Sequence, residues 1–379
     1  MITGSRAEYG ILEPLLAKIS GSSRLDLKLL VTGMHLLKRY GSTVREISER
    51  KFEPVAKIPM FRGHPSDIGY FGRSLARAIA GMTNAFAQIR PDVVVVFGDR
   101  LEQLAATLAA ATLRIPTVHL ESGDKTDSGH IDEPTRHAIT RFASLHLTAT
   151  SKSKRRVIRM GEERWRVHRV GALGLDSILS CPPMTKNAIA KELSLDPTKP
   201  FIVCVFHPVH LEKERAGQHM REILGAVRQL KMPTVIIYPN NDPGSEEIIA
   251  EIDKCRKQAL IRVVANLDHM KYVNLLRYAS VLLGNSSSGI IEAPSLGIPV
   301  VNVGSRNTGR EHARNVVFVP ANTRAIVAAV KRVLTNKSFR RRMRRSGNPY
   351  GNGTASERIT RILTDMRVDD RLLRKRVTF

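Results

Sequence analysis

Short apolar runs rich in β-branched residues recur at 27–32, 93–97, 117–120 and 145–148, and apolar residues fall at helical spacing over 9–19, 75–88 and 102–111 between them. An unbroken apolar run bounded by polar turns suits a strand buried on both faces, whereas a 3.6-residue period marks a helix with one buried stripe. The alternation predicts a parallel sheet with helices on both faces. The pattern breaks at Cys181-Pro182-Pro183, where consecutive prolines cannot continue a helix. A second series follows, with strands predicted at 201–206, 234–238, 261–264, 281–284 and 300–303 and helices at 218–230, 245–258 and 270–277. NPYGNGTASER, 348–358, predicts a turn and a last helix ending near Met366, with RLLRKRVTF as a frayed basic tail.

A length of 379 residues fits two domains. The expected α/β organisation is two Rossmann-like, doubly wound parallel-sheet domains, 1–175 and 188–355, with a cleft between them. A linker spans 176–187, and 356–379 crosses back to the first domain. Only Met1, Ile2 and Thr3 precede the turn GSRAEYG, fewer than the ~5 residues of an ordinary strand. The first strand is therefore either stunted or begins upstream.

Composition adds three constraints. Hydrophobic residues make up 42% but aromatics only 5%, so the cores must rest on Leu, Ile, Val and Ala. Lys plus Arg is 60 against 35 for Asp plus Glu, a net charge of +25 that suggests anionic partners or, more simply, an arginine-rich surface with no special partner. That excess is spread along the chain apart from 331–345, which carries eight Lys or Arg and reads as the solvated face of a late helix. No aromatic-interleaved basic motif accompanies it, so nucleic acid is not the expected partner. Three scattered cysteines form no CxxC motif and no disulfide framework. No apolar run approaches the ~18–20 residues of a bilayer span. The expectation is a cytoplasmic protein that does not enter the membrane.

The densest chemistry lies in HLESGDKTDSGHIDEPTRH, 119–137. Asp99 follows one strand and Glu121 the next, which puts both carboxylates on the same edge of a parallel sheet and suits acid/base work. Asp99 would equally serve as the cap of the helix that follows, and Glu121 as a plain loop carboxylate. Asp132 or Glu133, before Pro134, is expected to cap a helix, with Arg136 near Asp132 one turn on. Three histidines and several carboxylates are present without a closed metal-ligand spacing, so no metal is expected. GNSSSG, 284–289, leads from a strand into a helix, the arrangement that offers N–H groups and hydroxyls to a phosphate. Glu292 lies about one turn further, within reach of a ribose diol. Arg6, before the first helix, would clamp an oxyanion. His207 sits at another strand end, as a functional residue or a satisfied histidine.

GSRAEYG, TGMHLLKRYGST, PDVVVVFGDRLEQLAA, HLESG with GHIDEPTRHAIT, HPV, YPNNDPGS, GNSSSGIIEAPSLGIPVVNVGSRNTGRE and NPYGNGTASERI occur in order along nearly the whole chain. Together they resemble the UDP-N-acetylglucosamine 2-epimerase family, and more closely its hydrolysing branch, to which Gly129, Ile131, Asp132, Arg136 and His137 point. The resemblance implies a GT-B-like fold with the nucleotide sugar in the cleft. It places Asp99, Glu121 and Asp132 on the catalytic carboxylates. It places Arg6, His207, Ser286, Ser287 and Glu292 around UDP, with His207 counted among the catalytic residues for its action on the diphosphate. His35, Arg100, Asn240 and Arg306 would be further substrate contacts. The implied reaction converts UDP-N-acetylglucosamine to UDP and N-acetylmannosamine for sialic or related nonulosonic acids, without cofactor or metal, in a homodimer or homotetramer. The alternatives are the same chemistry on UDP-N,N'-diacetylbacillosamine, or epimerisation without hydrolysis. The segment between Glu121 and Asp132 is about two residues longer than the hydrolysing pattern, which bears on the sugar substituent accepted.

Overall fold

The structure, a computed structural model, describes residues 1–37, 43–49, 52–64, 67–126, 129, 131–240, 242–265 and 267–378. Asp127 and His130 of the acidic segment, and 38–42 of TGMHLLKRYGST, lie outside the described residues. The chain divides into two compact units. One comprises Met1–Asp124, Ile131–Ser177 and Gly353–Phe379, and the other Lys125–His130 and Ile178–Asn352.

The first unit contains β1 (Ile2–Thr3), β2 (Leu30–Thr32), β3 (Ala56–Ile58), β4 (Val94–Phe97), β5 (Thr117–Leu120), β6 (Leu145–Thr148) and β7 (Val167–Arg169), paired in parallel as β1-β2-β3 and β4-β5-β6-β7. The two pieces meet at β1 and β4: Ile2 shares a core with Val94 and Val96, and Gln103 Nε2 donates to the Ile2 carbonyl at 3.4 Å. The strand order is thus 3-2-1-4-5-6-7, with its topological switch between β1 and β4. Val94 and Val96 face the helices Tyr70–Ile89 and Leu101–Thr112, while Val95 faces the helices Arg6–Ser20 and Ala355–Asp365. That two-sided burial is why the run 93–97 is apolar throughout.

The second unit repeats the design. Its strands are β8 (Ile202–Val205), β9 (Thr234–Ile237), β10 (Ile261–Val264), β11 (Val281–Gly284), β12 (Val300–Val303) and β13 (Val316–Val319), all parallel in the order β10-β9-β8-β11-β12-β13. Ile202 and Cys204 point to one core, Val203 and Val205 to the other. Here the switch lies between β8 and β11.

Several expectations need correction. The strand expected at 27–32 forms only over Leu30–Thr32, and the helix expected to reach 258 stops at Asp253. Strands β3, β7 and β13 were not anticipated; each lies at a sheet edge and is buried less completely than its neighbours. The basic run 331–345 lies on two helices, Thr323–Thr335 and Lys337–Arg344, rather than one. All eight of its Lys and Arg are exposed, while Phe339 and Met343 face inward.

The helix Ala355–Asp365 is not the last, and the tail is not frayed. A further turn, Asp370–Leu373, is gripped by the fully buried Arg166, which donates to the carbonyls of Arg371, Leu372 and Arg374 at 2.7, 2.8 and 3.1 Å. Lys375 Nζ in turn donates to the carbonyls of Thr140, Arg141 and Ala143 at 3.0, 2.6 and 2.8 Å and lies 2.9 Å from Glu162. A cation there meets the unpaired carbonyls at the end of the helix Asp132–Phe142. Among the described residues no helix is long and apolar enough to cross a membrane.

Candidate active site

In the first unit, β4 and β5 are adjacent and in register, Phe97 opposite Leu120. Gly98 follows β4 in the left-handed region at φ 74°, and Glu121 follows β5 at φ 57°. Asp99 and Glu121 therefore leave the same sheet edge. A glutamate is seldom held left-handed, and such strain is kept where the surroundings demand a particular side-chain direction. Glu121 Oε1 accepts from the Leu173 N–H at 3.3 Å.

Asp99 is not the cap of the next helix. Arg100 occupies that position, without a side-chain cap bond. Asp99 instead accepts from Arg136 Nη2. Arg136 is 3% exposed and also donates to Glu133 Oε2 at 2.5 Å and to the Asp124 carbonyl at 3.2 Å. Burial works against the charge on Arg136, yet Asp99, Asp124 and Glu133 around it raise its pKa overall. The partners of Arg136 thus include Glu133, one turn before it, and the distant Asp99. Asp132 and Glu133 do not cap their helix: Ile131 is the capping position and Asp132 the first helical residue. Beneath this edge His119 is fully buried, its Nε2 2.7 Å from the Gly98 carbonyl, and desolvation lowers its pKa to about 3.

At the other side of the switch, β1 leads through Gly4 into the N-cap Ser5 and exposed Arg6, the first residue of its helix. Arg100 lies 3.3 Å from Glu102; burial opposes its charge, but Glu102 and Glu8 beside it raise its pKa overall. His35 is fully buried, with Nδ1 2.7 Å from the Thr43 hydroxyl and Nε2 3.1 Å from that of Thr3. It braces the turn after β2 and presents no free nitrogen.

In the second unit, β8 ends before His207 and β11 before Asn285, again side by side with Val205 opposite Gly284. The Asn285 side chain extends the ladder past both strands, accepting from the His207 N–H at 2.7 Å and donating to its carbonyl at 2.8 Å. A Cβ on Gly284 would stand 2.0 Å from the Val205 carbonyl, so only glycine permits this approach. His207 Nδ1 accepts from the Asn240 N–H at 3.1 Å. Desolvation, then Arg306, lowers the His207 pKa to about 3, so the ring is neutral. With Nδ1 accepting, its proton sits on Nε2, as a donor.

Arg306 Nη1 donates to the Asn285 carbonyl at 3.3 Å, and Asn307 Nδ2 to the same carbonyl at 2.9 Å. The Ser286 hydroxyl lies 2.9 Å from that of Ser288, which is 2.5 Å from the Tyr272 hydroxyl. Ser286, Ser287 and Glu292 are half-buried. The helix after the serines is a single turn, Ser288–Ile291, so Glu292 lies just past its end rather than one turn inside it. Sequence reasoning missed Asn285, Asn307 and Tyr272. Asn285 stands in the quoted GNSSSG, but its partners come from a strand 78 residues away. Among the described residues no group of three or more His, Cys, Asp or Glu is placed to hold a metal ion.

A family model described as UDP-N-acetylglucosamine 2-epimerase matches residues 17–364. The chain is 35% identical, over 99% of its length and 97% of the relative's, to the UDP-N,N'-diacetylbacillosamine 2-epimerase (hydrolyzing) of Legionella pneumophila. It is 32% identical, over 89% of its length and 88% of the relative's, to the UDP-N-acetylglucosamine 2-epimerase of Neisseria meningitidis serogroup B. The crystal structure of UDP-GlcNAc 2-epimerase from Neisseria meningitidis bound to UDP-GlcNAc matches in fold with a TM-score of 0.83 at 20% identity, covering 96% of this chain and 98% of that one. The fold is of the GT-B type, with two Rossmann-like domains.

Proposed function

This chain belongs to the UDP-N-acetylglucosamine 2-epimerase family, and on that premise we propose that it is a hydrolysing member, converting UDP-N-acetylglucosamine to UDP and N-acetylmannosamine. The observation that carries the reading is the delivery of Asp99 and Glu121 to one sheet edge at a topological switch, with Asp99 bonded to Arg136. The sequence GHIDEPTRHAIT, which resembles the hydrolysing branch, and the 35% identity to a relative named as hydrolysing support the choice of branch.

The C2 proton of the sugar is weakly acidic, so its removal needs a positioned base and a leaving group that departs at the same time. A base among Asp99, Glu121 and Asp132 takes that proton while the C1–O bond to UDP breaks, leaving a 2-acetamidoglucal. Water then adds its oxygen to C1, and a proton returns to C2 from the opposite face. Each positioned acid or base contributes roughly 10²–10⁴-fold. The second unit holds UDP: Arg306, the Ser286 and Ser287 hydroxyls and the neutral His207, donating from Nε2, meet the charge that develops on the diphosphate. Glu292 takes the ribose hydroxyls, and Asn240 fixes the His207 ring. Arg6 and Arg100 bring positive charge to the first unit's switch.

Incubation with UDP-N-acetylglucosamine and, separately, UDP-N,N'-diacetylbacillosamine, followed by NMR of the products, tests the assignment. Free N-acetylmannosamine and UDP support it. UDP-N-acetylmannosamine would make the enzyme non-hydrolysing. Turnover of the diacetyl sugar alone would keep the chemistry and change the substrate, a reading favoured by the name of the Legionella relative.

A further inference from the structure

Glu8 follows the N-cap Ser5 by three residues, the spacing of a capping box, in which an ionised glutamate ordinarily reaches back to the helix start. Here the carboxyl is 5% exposed. Its Oε1 accepts both donors, the Gly4 N–H at 3.1 Å and Gln103 Nε2 at 3.0 Å. Its Oε2 is buried with no hydrogen-bond partner among the described residues. A second carboxyl, Glu102, is 1% exposed and lies against the same turn. A Cβ on Gly4 would stand 2.8 Å from Glu102 Cγ, and one on Gly33 2.7 Å from Glu102 Oε1. Arg100, 3.3 Å from Glu102, is the cation beside this pair. Arg6, on Glu8's own helix, is exposed, and His35, on the Gly33 turn, is neutral: desolvation lowers its pKa to about 4. Two buried carboxyls thus share one guanidinium.

We propose that Glu8 is a positioning residue that works as a neutral carboxylic acid with its proton on Oε2, and that losing this proton loosens the Gly4–Ser5–Arg6 turn. Two buried carboxylates on either side of Gly4 would repel each other, and Arg100 is a single charge set against both. Burial, and after it the Glu102 charge, push Glu8 up to about 8. The switch therefore falls at mildly alkaline pH. Its consequence for catalysis rests on the reading of Arg6 as a substrate contact; its consequence for stability does not.

The sign separates this from an ordinary capping box. Glu8 binds its proton more tightly folded than unfolded, so stability is lost as pH rises from about 4.5 to about 8. Glu8→Gln fixes the neutral form. Its melting temperature relative to the unaltered protein is expected to rise across that window. An ionised capping glutamate gives the reverse, a Glu8→Gln protein less stable at neutral pH whose deficit disappears in acid, and that result overturns the proposal. Should Glu8→Gln fail to fold, carbon-13 NMR of the unaltered protein labelled at glutamate carboxyls decides: one carboxyl titrating near pH 8 is expected, and its absence is contrary.

For catalysis, the alkaline fall in kcat/KM is expected to move up by at least about one pH unit in Glu8→Gln, as follows when the ionising group is removed. Arg6→Ala checks the site reading separately. A normal KM in Arg6→Ala, beside the expected stability signature in Glu8→Gln, would remove Arg6 from the site and leave the protonated Glu8 standing.

Discussion

Arg136 and Asp99, 37 positions apart, bond through a guanidinium that is almost wholly buried. The helix Asp132–Phe142 is thereby tied to the end of β4, and one carboxylate of the proposed acid/base set is fixed in direction. Arg136→Met should cost roughly 1–3 kcal/mol of stability, because the half-buried Asp99 and Glu133 carboxylates lose the buried guanidinium that donates to both. It should lower kcat by roughly 10²-fold, as misplaced catalytic groups do. Calorimetric titration with UDP should show near-normal affinity, since UDP is assigned to the other unit. A full-rate Arg136→Met would remove Asp99 from the mechanism.

Glu121 sets function against stability. Glu121→Gln should lower kcat by roughly 10²–10⁴-fold with UDP binding retained. Glu121→Gly should be equally inactive, yet no less stable by thermal melting. Glycine takes φ 57° without strain, and that relief, worth roughly 1 kcal/mol, offsets the lost bond to the Leu173 N–H. A marked fall in its melting temperature would show that the backbone at Glu121 stores no strain.

Four histidines, His35, His119, His146 and His207, are desolvated and have pKa values lowered from 6.5 to about 4, 3, 4 and 3. Unfolding releases each to protonate near its ordinary value. Their contribution is therefore present above about pH 6.5 and lost as pH falls from there toward 3. Melting temperature should drop steadily below pH 6.5, and His119→Asn should reduce that slope. The kcat profile should show no inflection near 6.5 from His207. Such an inflection, abolished in His207→Asn, would mean that the ring is charged at work.

The C-terminal turn is expected to be structural. Lys375→Met removes the donor to three carbonyls and leaves Glu162 with one cation fewer, a loss on the order of 2–3 kcal/mol. Deletion after Val368 should cost at least as much, because Arg166 then loses three carbonyl acceptors. Unchanged chemical denaturation midpoints would contradict this.

Strands such as Val94–Phe97 and Val281–Gly284 were legible because each is a short apolar run between turns. The edge strand Ala56–Ile58 was not: three residues with one exposed lysine carry no period to read. The adjacency of Asp99 and Glu121 followed from two consecutive parallel strands, a local inference. The partner of Asp99 did not, because spacing along a helix can rank only near neighbours, and Arg136 reaches a residue 37 positions away. The tail failed for the same reason. Its Lys and Arg look like a solvated end, and nothing local reveals that Arg166 and the end of the Asp132 helix supply their partners. Buried carboxyls are equally hidden, since Glu8 and Glu102 occur at ordinary helical positions.

The central claim is that the sugar loses its C2 proton and is released from UDP. One turnover experiment in D₂O with UDP-N-acetylglucosamine, read by NMR, tests it most directly. The expected products are UDP and free N-acetylmannosamine bearing deuterium at C2. A released sugar that keeps its original hydrogen at C2, or a product still joined to UDP, would contradict it.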